Sequence, residues 1–287
     1  CEQAGLPKGV VNIVTGGGSN IGNHLVSHPD IDKISFTGST NVGKTVGKAA
    51  MGNVTPVTLE LGGKSPMVVF DDAEVEKVVA ATQQSVFFNT GQVCSAGSRM
   101  YVQKGLYEKV VASVAEGASS LKLGMTLDPE CEMGPAISSQ HRQSVNNYIE
   151  IGKQQGARVV CGGESVEGKG YYIQPTVFAD CTNDMQIVQE EVFGPVLVII
   201  PFDTEEQVVE LANDNIYGLA VSVFTKDISR AHRMIKKLEA GTVWVNTHDL
   251  VDSCTPFGGF KQSGFGKDLG AEQLAYFLKT KAVWIEV

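Results

Sequence analysis

Between Gly9 and Phe70, short β-prone runs alternate with helical stretches, and Gly, Ser or Thr marks most change-overs. Gly9–Thr15 (GVVNIVT) reads as a strand ended by Gly16-Gly17-Gly18, and Asn20–His28 as a short helix. Lys33–Thr37 is a second strand, Val42–Ala50 a helix, and Val57–Leu61 and Pro66–Phe70 two further strands. Neighbouring strands that run the same way need a crossover between them, and a helix supplies it, so this alternation predicts parallel βαβ packing.

The pattern continues with longer helices. Over Glu74–Asn89, the residues Val75, Val78, Val79, Thr82 and Val86 recur at three- and four-residue spacing, the stripe of an amphipathic helix. Helices are predicted over Leu106–Leu121 and Gln140–Gln155. Val196–Phe202 is a nearly continuous apolar strand, as in a sheet covered on both faces. Thr204-Glu205-Glu206-Gln207 is a capping box opening a helix to about Asp214. Leu219–Phe224 and Thr242–Asn246 read as strands, with a helix marked by Ile228, Ala231, Met234, Ile235 and Leu238 between them. Ala282–Val287 alternates as a terminal strand with no local hairpin partner, which suits pairing with another region or a second subunit. The chain opens Cys1-Glu2-Gln3-Ala4-Gly5-Leu6-Pro7, the end of a helix entering a turn, and is expected to begin inside a longer protein.

Length and charge narrow the function. A chain of 287 residues corresponds to roughly two domains. Its net charge of −9 argues against nucleic-acid binding, because phosphate contacts need clustered Lys and Arg. No apolar run reaches the roughly 18–20 residues needed to cross a bilayer, and no signal-peptide pattern is present, so neither a membrane nor a secreted setting is expected. The six cysteines, at 1, 94, 131, 161, 181 and 254, form no C-x-x-C pair, which points to a reducing, cytoplasmic compartment rather than a disulfide framework. His24 and His28 stand at i,i+4 but lack a third ligand, so no metal is expected.

Gly38-Ser39-Thr40-Asn41-Val42-Gly43-Lys44-Thr45 formally matches the phosphate-binding loop G-x-x-x-x-G-K-[ST], after a strand and before a helix. Met67–Asp71 passes for the accompanying strand with a magnesium-holding Asp. A P-loop nucleotide hydrolase is therefore the rival from another class. Either reading places the unpaired N–H groups of a helix N-terminus against an anion. The turn Gly16–Gly22 does not spell G-x-G-x-x-G.

Four segments decide against the hydrolase. Glu60-Leu61-Gly62-Gly63-Lys64-Ser65-Pro66 puts a carboxylate at a strand end beside two glycines. Gly91-Gln92-Val93-Cys94-Ser95 sets a cysteine in a small-residue loop after an amphipathic helix. Glu190-Glu191-Val192-Phe193-Gly194-Pro195 places acids before a buried strand, and Pro256–Gly264 is a Gly-rich loop. Together they resemble the aldehyde dehydrogenase superfamily over the whole chain, and the 34-residue spacing from Glu60 to Cys94 makes the first two specific as a pair.

The resemblance implies an α/β fold. Residues 1–62 would be the C-terminal part of a Rossmann-like NAD(P)-binding domain, 63–277 an α/β catalytic domain carrying the thiol, and 278–287 an oligomerisation strand. It implies Cys94 as nucleophile, attacking an aldehyde to give a thiohemiacetal, and Glu60 as the base that activates water against the later thioester. The Cys94 N–H would be one oxyanion donor; the family's second, an Asn side chain, has no counterpart in this sequence. The alternative for Cys94 is a structural thiol, the role the other five cysteines keep, although the loop holding Cys254 lies close in sequence to pocket residues. Gly38, Ser39, Leu61, Glu191 and Phe193 would contact NAD, with NADP left open, and Asn246 is taken as structural.

Phe88, Val93, Leu250, Val251 and Phe257 would line the substrate tunnel. This apolar set favours a hydrophobic or aromatic aldehyde, such as an arylacetaldehyde, over a quaternary-ammonium aldehyde, which needs an aromatic cage. Partners expected are a small-molecule aldehyde and a second copy of the chain, as homodimer or homotetramer. A catalytically silent fragment that only folds or assembles is the third reading.

Overall fold

The computed structural model describes residues 2–164 and 166–287; Cys1 lies outside the described residues. Its two main sheets meet at the Glu60–Pro66 run, and a two-residue ribbon pairs Phe260–Lys261 with Tyr217–Gly218. The first is built from β1 (Ile34–Thr37) and β2 (Val57–Glu60), parallel to one another and joined by helix α1 (Thr40–Met51). Ile34, Val46, Ala50, Leu59 and Leu61 form its small core.

The second sheet begins with β3 (Pro66–Val69). Helix α2 (Val75–Thr82), β4 (Arg99–Gln103), helices α3 (Tyr107–Ser119) and α4 (Ser139–Gln154), β5 (Arg158–Cys161) and β6 (Thr176–Ala179) follow. Next come β7 (Val196–Phe202), α5 (Glu205–Asn213), β8 (Ala220–Phe224), α6 (Ile228–Lys237) and β9 (Thr242–Val245). A two-residue strand β10 (Gly264–Phe265) returns to the first sheet, antiparallel to β2. The strand order in the large sheet is β9-β8-β3-β4-β7-β6-β5, all parallel except β5.

Both faces of the large sheet are dry. Met67 and Val69 face α2 and α3 through Val78, Val110 and Val114, while Val68 and Phe70 turn to the opposite core with Val145, Ile149, Val208 and Met234. Successive residues of a strand point to opposite faces, so a sheet covered twice needs apolar residues at every position, which is why β7 reads as an unbroken apolar run. Burying each Val or Ile stabilises by about 1.5–3 kcal/mol against leaving it exposed. Arg99, at the head of β4, is fully buried and spends its guanidinium on Lys64 O at 2.7 Å, Tyr101 Oη at 3.0 Å and Ala212 O at 3.0 Å. It thereby ties the entry of β3 to β4 and α5.

Three expected elements differ. Gly9–Thr15 pairs with no strand: Val10, Val11, Ile13 and Val14 are exposed. Ala282–Val287 is likewise unpaired, with Trp284 96% exposed. β propensity makes a strand only where a neighbour takes the N–H and C=O groups, and neither segment has one in this chain. The helix expected to reach Asn89 ends at Thr82 and continues as a wider π-helical turn over Gln83–Phe87. Asn89, Thr90 and Gly91 then adopt φ of 49°, 61° and 68°, a reversal that carries the chain into the thiol loop. The last of these must be glycine, because a Cβ would sit 2.2 Å from Gly194 O.

Candidate active site

A cleft of about 640 Å³ opens where the two sheets meet. Its walls include Thr37, Gly38 and Ser39 before α1, the Glu60-Leu61-Gly62 run after β2, Gln92-Val93-Cys94, and Glu191-Val192-Phe193 before β7. Cys94 and Glu60 thus share one cavity. Both stand where the chain leaves regular structure, the usual place for reactive groups held by a rigid frame.

Close backbone approach makes this possible. Gly63 lies under the thiol loop, where a Cβ would come within 2.5 Å of Cys94 O. A Cβ on Gly62 would fall 1.9 Å from Glu191 Oε2, so this glycine is the space the Glu191 carboxylate occupies, and the Gly63 N–H donates to Glu191 Oε1 at 3.1 Å. The run is pinned from beneath by Ser263, whose hydroxyl donates to Gly62 O at 2.7 Å and accepts from Gly218 N–H at 3.0 Å.

Glu60 is buried, and neither carboxyl oxygen has a hydrogen-bond partner. Burial, assisted by the nearby Asp268 charge and opposed by the Lys267 ammonium, pushes its pKa up to about 8. Such a carboxyl is mostly protonated at neutral pH and becomes a base strong enough to take a proton from water in the alkaline range. The Cys94 thiol is also pushed above its ordinary value, first by burial, then by the Glu191 and Asp249 carboxylates, with backbone N–H groups pulling the other way. Its resting form is the thiol. Lys64, fully buried with an unpartnered Nζ, is driven down to about 7 by burial and by Arg99. Burial raises Glu191 too, while Gly63 N–H and Lys64 oppose it.

Ser39 caps α1, its Oγ accepting from Val42 N–H at 3.4 Å, and presents the helix N-terminus to the cleft. Leu61 packs beneath that helix, its Cδ2 2.3 Å from where a Gly43 Cβ would lie. The formal phosphate-loop lysine plays no part: Lys44 lies in the second turn and donates to Gln262 Oε1 at 2.7 Å. The hydrolase reading fails on that placement, because a phosphate clamp has to reach back over the helix N-terminus.

The expected substrate tunnel is only partly assembled. Val93 lines the cleft; Phe88, Leu250, Val251 and Phe257 do not. Phe88 precedes the left-handed pair Asn89 and Thr90, and Leu250 and Val251 follow left-handed Asp249, and these turns leave the three side chains in solvent. Phe257 is half-buried and paired through its backbone with Asp268. Asn246 acts structurally: its side chain brackets Thr225, accepting from the N–H and donating to the carbonyl. Cys254 is exposed on its loop.

Several site residues escaped the sequence reading. His141, Ser144 and Tyr148 line the cleft from one face of α4, at the i, i+3 and i+7 spacing that could have flagged them. His141 Nε2 bonds Phe193 O at 2.7 Å and so steadies a residue with φ of 54°. Tyr148 Oη donates to Glu190 Oε2 at 2.7 Å. Lys267 and Asp268 reach Glu60 across the fold and leave no local signal.

Comparison with known proteins follows the same lines. The chain matches the aldehyde dehydrogenase family over residues 1–283. It is 46% identical to a betaine aldehyde dehydrogenase of Bacillus subtilis, covering 99% of this chain and 59% of that protein. It is 48% identical to the cytosolic 10-formyltetrahydrofolate dehydrogenase of Xenopus tropicalis, covering 99% of this chain and 32% of that one. The NAD+ complex of an aldehyde dehydrogenase from Bacillus cereus superposes with a TM-score of 0.97 at 47% identity, covering 100% of this chain and 58% of that one. The chain therefore spans about three-fifths of the length of the Bacillus proteins it matches.

Proposed function

We propose that this chain, which belongs to the aldehyde dehydrogenase family, carries the nucleophile and the base of an NAD-dependent oxidation of an aldehyde to a carboxylate. The observation that carries the reading is the shared cleft: Cys94, Glu60, the α1 N-terminus and Glu191 all face one cavity.

The residues present suit a nicotinamide dinucleotide. The α1 N-terminus at Gly38 and Ser39 offers N–H groups and the positive end of a helix dipole to a pyrophosphate. Leu61 gives an apolar floor, Glu191 offers carboxylate oxygens to ribose hydroxyls across Gly62, and Phe193 stands beside that position. When bound, the cofactor supplies the hydride acceptor.

The chain's own groups do the rest. The Cys94 thiol gives up its proton, and the sulfur forms a bond to the aldehyde carbon while the Cys94 N–H donates to the developing oxyanion. Loss of hydride from that carbon leaves a thioester on Cys94. Glu60 then accepts a proton from water, the hydroxide adds to the thioester carbon, the C–S bond breaks to release the carboxylic acid, and the departing thiolate takes the proton from Glu60 to restore the thiol.

For the substrate we favour an apolar or aromatic aldehyde. The support is the apolar lining that Val93 and Val192 give the cleft. We further assign residues 1–62 to the cofactor-facing unit and 63–277 to the thiol-bearing unit, with 278–287 joining a second copy in a homodimer or homotetramer. A reducing, cytoplasmic setting suits the five free cysteines among the described residues. No helix among those residues is long and apolar enough to cross a membrane.

The test mixes the polypeptide with NAD+ and either phenylacetaldehyde or betaine aldehyde and follows absorbance of the reduced cofactor. Turnover of phenylacetaldehyde, lost in Cys94→Ala, is expected. Turnover of betaine aldehyde alone overturns the substrate, and turnover retained in Cys94→Ala overturns the mechanism.

A further inference from the structure

Ser95, the residue after the thiol, is held at both of its polar ends by one loop. Its hydroxyl donates to Asp249 Oδ1 at 2.5 Å, and its carbonyl bonds His248 Nε2 at 2.9 Å. A carbonyl only accepts, so Nε2 carries the proton, and Nδ1 accepts from the Ser222 hydroxyl of β8 at 3.0 Å. His248 is 3% exposed and lies against Trp244, ring centroids 4.7 Å apart. The Trp244 indole N–H in turn donates to Leu250 O at 2.9 Å, closing the loop on itself. The fit under the thiol loop is tight: a Cβ on Gly97 would stand 3.1 Å from His248 Cε1.

Two features mark this loop as more than packing. Asp249 has φ of 57°, a left-handed conformation that a non-glycine residue holds only when its surroundings impose it. Its second oxygen, Oδ2, is buried with no hydrogen-bond partner, an arrangement that persists at functional sites more often than elsewhere.

We propose that His248 and Asp249 are positioning residues for Cys94, clamping the carbonyl and the hydroxyl of Ser95 so that the preceding thiol is aimed into the cleft. The inference rests on Cys94 being the nucleophile. Burial, then the Glu191 charge and more weakly the Asp249 charge, disfavour the thiolate. The nucleophile is thereby kept as a thiol, and less open to adventitious alkylation, until a carbonyl substrate enters.

The test reads the thiol directly, so it stays legible even if the chain shows no dehydrogenase activity. Alkylation of Cys94 by iodoacetamide is followed by peptide mass spectrometry across about pH 6 to 10, spanning the ordinary thiol range. Exposed Cys254 serves as the internal control. Asp249→Asn keeps an oxygen for the Ser95 hydroxyl but removes the charge. Its midpoint is expected to move down and its rate at pH 7 to rise, since one charge opposing the thiolate is gone. His248→Phe keeps the ring and loses the donor to Ser95; the alkylation rate on the alkaline plateau is expected to change at least about threefold, and His248→Gln, which restores an N–H donor, to return it toward wild type. Should His248→Phe fail to fold, Asp249→Ala, which removes the acceptor of the Ser95 hydroxyl, gives the same plateau readout. A His248→Phe plateau equal to wild type, or in its place an Asp249→Ala plateau equal to wild type, overturns the positioning proposal, and an Asp249→Asn midpoint equal to wild type overturns the charge effect.

Discussion

The pH dependence of product release follows from Glu60. With both oxygens buried and unpartnered and a pKa near 8, Glu60 is ionised in about one molecule in ten at pH 7 and about nine in ten at pH 9. If Glu60 activates the water, the steady-state rate with saturating aldehyde and NAD+ climbs close to tenfold over that interval and then levels. The first turnover behaves differently, because it depends on the Cys94 thiol, which burial and two carboxylates hold above its ordinary value. The assay is stopped-flow absorbance of reduced cofactor, separating the burst from the steady phase at each pH. Glu60→Gln should keep the burst and lose most of the steady phase, together with its rise around pH 8. A steady phase flat between pH 6 and 9, or an unchanged pH profile in Glu60→Gln, would refute the assignment of Glu60 as the base.

Further expectations follow from the same geometry. Glu60→Gln should also stabilise the fold in alkali. A raised folded pKa means the folded state holds its proton more tightly than the unfolded chain, so stability falls as pH rises from about 4.5 through about 8. The glutamine escapes that loss and should gain on the order of 1–3 kcal/mol at pH 9 after screening, with no gain at pH 4, read by urea denaturation. Gly62→Ala puts a methyl where Glu191 Oε2 now lies, 1.9 Å away, and is expected to weaken NAD+ binding by about 10–100-fold in calorimetry; unchanged affinity would remove Glu191 as a ribose ligand. Arg99→Leu leaves three acceptors buried without their donor and should cost about 3–5 kcal/mol in the same denaturation assay, whereas a loss below about 1 kcal/mol would show that the network is dispensable.

Residues that carry their context in sequence were legible; those that depend on distant contacts were not. β7 announced itself through an unbroken apolar run, and Thr204 through a cap that the structure completes with Gln207 N–H at 3.2 Å. Cys94 and Glu60 were singled out by two motifs that resemble the family, and the structure brings both to one cleft. Gly9–Thr15 misled because a strand's partner is not encoded in its own residues. The Gly38–Thr45 motif fits in spacing only, and four other segments outweighed it; the helix begins at Thr40 and carries Lys44 away from the cleft to Gln262. Phe88 and Val251 were placed on the tunnel by the family resemblance, and in this structure left-handed turns beside them leave both exposed. His248, Asp249, Lys267 and Asp268 gave no local signal, since each acts on Cys94 or Glu60 from more than 150 positions away in sequence.

The central claim is that one sulfur holds the substrate carbon while one carboxylate frees it. Mass spectrometry of quenched Glu60→Gln after mixing with aldehyde and NAD+ tests it directly. An acyl adduct on the Cys94 peptide should accumulate and persist there, decay in the wild type, and never form in Cys94→Ala. An adduct on another residue, or none on Cys94 while reduced cofactor still forms, would contradict the account.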